Sequence, residues 1–149
     1  MSGYSGWIMA GTADGVRLLE PREGRWQVVR QGLDNGPVNA LLAVDGAVLC
    51  GVLGWGVYRT EESAERFEPA SEGLPVPQVC ALAGAPGRTQ TAYAGTTPPH
   101  LYRTEDGGRS WRELPAFART PGSDKWVFPM PPGYPNIRWS WPERPIRRC

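Results

Sequence analysis

The chain has 149 residues and a formal net charge of +1, with 19 Gly, 16 Pro, 7 Trp and a single lysine, Lys125. That length fits one domain with a sizeable core, and the even spread of arginines leaves no basic footprint for nucleic acid. No stretch approaches the ~18 apolar residues of a membrane span, and residues 1–10 lack the basic and apolar regions of a secretory signal, so a cytoplasmic protein with no membrane partner is expected.

Taken in order, the chain repeats. Ala10-Gly11-Thr12 with Val16-Arg17-Leu18 is followed by Cys50-Gly51 with Val57-Tyr58-Arg59-Thr60, then by Ala94-Gly95-Thr96 with Leu101-Tyr102-Arg103-Thr104. An aromatic closes each unit, Trp26, Phe67 and Trp111, at spacings of 41 and 44 residues. Gly32-Leu33 recurs as Gly73-Leu74, and Val38-Asn39-Ala40-Leu41 as Val79-Cys80-Ala81-Leu82, both 41 residues on. A period of this size with no helical run inside it matches one four-stranded propeller blade. In the second unit the strands fall at 37–44, 47–52, 56–60 and 66–70, with Asp45-Gly46 as the hairpin signal. The third unit repeats them at 79–83, 91–95, 100–104 and 110–114. The first unit aligns residues 7–11 with a second strand, so its innermost strand is missing upstream.

The expected architecture is therefore all-β: antiparallel four-stranded units over about 1–36, 37–77 and 78–114, within an incomplete propeller covering 1–141. A Pro- and aromatic-rich insertion fills 115–135, residues 136–141 could open a fourth unit, and 142–149 is an irregular tail. An open stack exposes sheet edges, so the chain reads as part of a longer propeller, and left alone it is expected to self-associate.

The most specific stretch is Thr104-Glu105-Asp106-Gly107-Gly108-Arg109-Ser110-Trp111. Asp106 is placed to accept backbone hydrogen bonds, Gly107 and Gly108 to take positive φ, Ser110 to reach the same carboxylate, and Trp111 to bury its ring. This Ser/Thr-x-Asp-x-Gly-x-Ser/Thr-Trp pattern resembles the Asp-box, or BNR repeat, of sialidase-like and WD40/YVTN-BNR-like β-propellers. Thr60 to Phe67 keeps the spacing and the aromatic but not the Asp and Gly, and reads as a degenerate copy. The resemblance implies that Thr104, Asp106, Gly108, Ser110 and Trp111 are structural, because Asp-boxes in that superfamily lie away from the catalytic centre.

Residues that recur in every unit are scaffold, and that rule makes Arg59 and Arg103 architectural. Active sialidases carry an arginine triad, an Asp acid/base, a Tyr activated by Glu and an early Phe/Tyr-Arg-Ile-Pro motif. None of these is found here, where the early chain reads Gly15-Val16-Arg17-Leu18. No catalytic residue is therefore assigned. Cys50, Cys80 and Cys149 have no metal-ligand spacing and read as reduced thiols; His100, the only histidine, reads as a loop or strand-edge residue. No metal or cofactor is expected. The singular insertion supplies the candidate ligand-binding residues Trp126, Arg138 and Trp139, with Phe128, Tyr134 and Trp141 beside them, against the alternative of a packing flap. The functional expectation is a non-catalytic binding or scaffold module whose partner is a glycan or a protein. The alternative is the N-terminal portion of a sialidase-like glycoside hydrolase with its catalytic residues elsewhere.

Overall fold

The computed structural model describes residues 6–61, 63–75 and 77–125. Among them, β1 (Ile8–Thr12), β2 (Gly15–Arg22) and β3 (Arg25–Gly32) form one antiparallel sheet. A second contains β4 (Val38–Val44), β5 (Ala47–Val52), β6 (Gly56–Glu61) and β7 (Phe67–Pro69). The third contains β8 (Val79–Ala85), β9 (Arg88–Thr96), β10 (Leu101–Thr104) and β11 (Arg112–Glu113). Within each sheet the strands lie side by side in chain order. The all-β expectation is met.

The sheets stack face to face, and the period-2 alternation of β5 explains how one strand serves two cores. Val48, Cys50 and Val52 point to the first sheet, where together with Val38 of β4 they meet Val16. Ala47 and Leu49 point the other way, into a core with Val79, Ala92, Ala94, Tyr102 and Trp111. All six residues of β5 are buried, which is why its sequence is a continuous apolar run rather than an alternating one. Each sheet also presses a valine onto a glycine of its predecessor. A Cβ on Gly11 would lie 2.7 Å from Val38 Cγ1, and one on Gly51 would lie 3.0 Å from Val79 Cγ1. The repeated glycine of the second strand is thus the seat for the next sheet's first strand.

Three details depart from the sequence expectation. The last strand of the third sheet shrinks to two residues, since Trp111 N–H donates to Glu72 O of the second sheet (2.8 Å) instead of joining its own sheet. A single helical turn, α1 (Pro115–Ala118), follows, with proline at its start where a missing N–H costs nothing. Trp26, aligned with Phe67 and Trp111, does not pack as they do: it is 47% exposed, against 5% for Trp111.

Candidate functional site

The 104–111 turn is organised by one carboxylate. Asp106 Oδ1 accepts from Thr104 Oγ1 (2.7 Å) and from the backbone N–H groups of Arg109 (2.9 Å) and Ser110 (2.9 Å). Its Oδ2 accepts from Ser110 Oγ (2.5 Å), while Gly108 N–H donates to Thr104 Oγ1 (3.0 Å). Partial burial pushes the Asp106 pKa up, but the hydroxyl and backbone donors of Ser110, Thr104 and Arg109 outweigh it and hold it down at about 2. A carboxylate so occupied has no tendency to carry a proton near neutral pH. Asp106 is a poor acid or base.

The same turn clamps the second sheet. Gly108 sits on the fully buried Leu49, Arg59 Nε donates to Gly107 O (3.3 Å), and Trp111 Nε1 donates to Ala70 O (2.8 Å). Among the described residues these contacts fasten the third sheet to its predecessor.

Among the described residues, His100 and Glu113 form a pair that resembles acid–base equipment, with Nδ1 2.8 Å from Oε1. Spacing alone could not reveal it, because the two residues belong to the entry to β10 and to β11. Both side chains are more than a third exposed, and no nucleophile among the described residues is bonded to the imidazole. No group of three or more His, Cys, Asp or Glu among the described residues could hold a metal ion. None of the described helices is long and apolar enough to cross a membrane. Cys50 is fully buried, and burial pushes its pKa up to about 12; Cys80 is half-buried with Sγ 3.0 Å from Thr97 Oγ1. Cys50 is therefore expected to resist alkylation by iodoacetamide at neutral pH in the folded protein and to react on unfolding, which mass spectrometry of labelled peptides will read. Trp126, Arg138 and Trp139 lie outside the described residues.

The other end of the sheets carries a different surface. Its loops are joined by backbone bonds: Gly15 N–H to Gly36 O (2.8 Å), Leu53 N–H to Pro37 O (2.9 Å), and Gly54 and Gly56 N–H to Pro77 O (both 3.1 Å). On this frame Leu53 and Trp55 remain 38% and 43% exposed. The Trp55 indole leans on Tyr58, with ring centroids 6.2 Å apart, and a Cβ on Gly36 would lie 3.1 Å from its Cζ3. An aromatic and an aliphatic side chain are thus held outward on a hydrogen-bonded loop. The sequence reading missed both, since a Leu-Gly-Trp-Gly loop looks like a hairpin and nothing else.

No family model and no curated protein matches the chain. Among solved structures it is similar to YCF48 bound to D1 peptide, with a TM-score of 0.53 and 18% identity over 73% of this chain and 35% of that one. YCF48 is a β-propeller. The three sheets are propeller blades. The chain spans about a third of the length of that propeller, 35% of it. The 104–111 turn lies at the outer part of the third blade, between β10 and β11, and Leu53 and Trp55 lie on the β5–β6 loop at the opposite end of the second.

Proposed function

We propose that this chain is a non-catalytic propeller module of the Asp-box type that holds an extended polypeptide on the loop end carrying Leu53 and Trp55. The observation that carries this reading is the outward placement of these two apolar side chains on a hydrogen-bonded loop frame. Indole and isobutyl groups together favour alternate apolar side chains of a peptide; a glycan would stack on the indole and leave Leu53 unused. The peptide bound to the similar propeller agrees with this class of partner. The occupied state of Asp106 and the exposed, nucleophile-free His100–Glu113 pair weigh against a hydrolase.

Fluorescence anisotropy with a panel of labelled apolar peptides tests the proposal. Binding is expected, and Trp55→Ala is expected to weaken it by about tenfold or more while far-UV circular dichroism shows the fold retained. Binding confined to glycans, or release of fluorophore from a sialoside, would displace this reading.

A further inference from the structure

Two loops flank the Trp55 indole on its first-blade side, and each carries an aspartate. Residues 33–36 form a tight turn closed by Gly36 N–H to Leu33 O (2.9 Å), with Asp34 and Asn35 at its corners. Asn35 takes φ +66°, which its short amide side chain tolerates. Gly36 is where this turn meets the indole: a Cβ there would lie 3.1 Å from Trp55 Cζ3. Its carbonyl also accepts from Gly15 N–H (2.8 Å), and Asn35 N–H donates to Asp14 Oδ1 (2.6 Å), so the 12–15 loop is fastened to the same turn. Asp34 stands two residues before Gly36, and Asp14 is next to Gly15.

The charges here are arranged with the carboxylates outermost. Arg17 lies between them, with Nη2 3.2 Å from Asp14 Oδ2 and Nη1 3.4 Å from Asp34 Oδ1. The guanidinium is the inner partner: its side chain is 20% exposed, against 64% for Asp14 and 54% for Asp34. One cation against two carboxylates leaves a net negative charge, and the acidic groups present it to solvent. On the other side of Trp55, Leu53 bridges to Gln78 at the entry to the third blade. Among the described residues, the loop end thus runs from aliphatic to aromatic to acidic.

We propose that the polypeptide held on this end carries a basic side chain beside its apolar anchors, a lysine or arginine that lies over Trp55 and ends at Asp34. This rests on the reading of Leu53 and Trp55 as a peptide platform and adds the sign of charge that the platform selects. An ammonium or guanidinium group gains from the indole face and the carboxylate together, while its aliphatic stem covers apolar surface on the way. An acidic side chain in that place meets like charge, and a neutral one leaves Asp34 to water. The whole chain carries a formal charge of +1, so the preference for a cation is local and not a general attraction.

Anisotropy titrations of the full chain with three fluorescein-labelled peptides test this. The peptides share a Leu-Ser-Leu segment flanked on both sides by Lys, by Gln or by Glu, so that either chain direction brings a flanking residue to Asp34. The Lys peptide is expected to bind about fivefold or more tighter than the Gln peptide at low salt, and the Glu peptide more weakly than either. Raising the salt to roughly 0.5 M is expected to close most of the gap, because the carboxylates are exposed. Asp34→Asn is expected to abolish the preference and leave Gln-peptide binding unchanged. Asparagine suits the same turn position, and Asp14 stays intact because it holds Asn35 N–H. Equal affinity for the three peptides, or a preference that survives Asp34→Asn, overturns the charge assignment and leaves the apolar platform standing. No binding of any of the three, or Gln-peptide binding indifferent to Trp55→Ala, sinks the platform reading and this one with it.

Discussion

Gly108→Ala is expected to destabilise the protein by about 3 kcal/mol, from a left-handed backbone forced on an L-residue and an overpacked contact. Gly108 has φ +86°, and a Cβ there would lie 2.4 Å from Leu49 Cδ2. Leu49 is fully buried between blades and has no room to retreat. The aligned residue of the preceding turn, Ala64, provides the control. It already sits at φ +51° and is 5% exposed. Ala64→Gly relieves about 1 kcal/mol of left-handed strain but removes a buried methyl group worth about 0.8 kcal/mol, so it is expected to stay within about 0.5 kcal/mol of wild type. Urea unfolding of both variants reads the contrast. Equal effects at the two positions would show that contact with Leu49 is not what demands glycine.

Asp106→Ala is expected to cost about 2 kcal/mol, as the N–H groups of Arg109 and Ser110 and the hydroxyls of Thr104 and Ser110 lose one shared acceptor. Partial exposure lets water recover some of these bonds, which keeps the loss below a sum over four. The effect carries a pH signature. The folded pKa, about 2, lies below the ordinary 3.8, so the carboxylate contributes stability above pH 3.8 and loses it as pH falls through about 2. The gap between wild type and Asp106→Ala is therefore expected to narrow over that interval, followed by urea midpoints at each pH. Peptide binding at the Leu53–Trp55 end should not change. A binding defect at unchanged stability would make the turn part of a ligand site.

Much of the fold was legible because its signals are local. Gly11 and Gly51 recur with Val38 and Val79 because each blade needs the same close approach, and a requirement repeated in space leaves a period in sequence. The 104–111 turn was legible for a similar reason: its carboxylate, hydroxyls and glycines bond within eight residues. The candidate peptide platform was not. Leu53 and Trp55 sit in a stretch whose neighbours are buried, and whether a side chain ends inside or outside depends on what the next blade covers.

Trp26 makes the same point from the opposite side. By sequence it aligns with Phe67 and Trp111, but the longer β2–β3 hairpin pairs it with Pro21, beyond the Leu19–Val28 pair that corresponds to Thr60–Phe67, and its ring is half exposed where Trp111 is buried. His100 and Glu113 are brought to 2.8 Å by the register of β10 against β11, which no spacing rule encodes. By itself, then, the sequence determined the blade: its strands, its glycine seats and its self-contained turn, all set by interactions between near neighbours. Tertiary structure alone decided which faces are covered, which arginine finds its carbonyl and which aromatics meet solvent, because burial belongs to the stack and not to the strand.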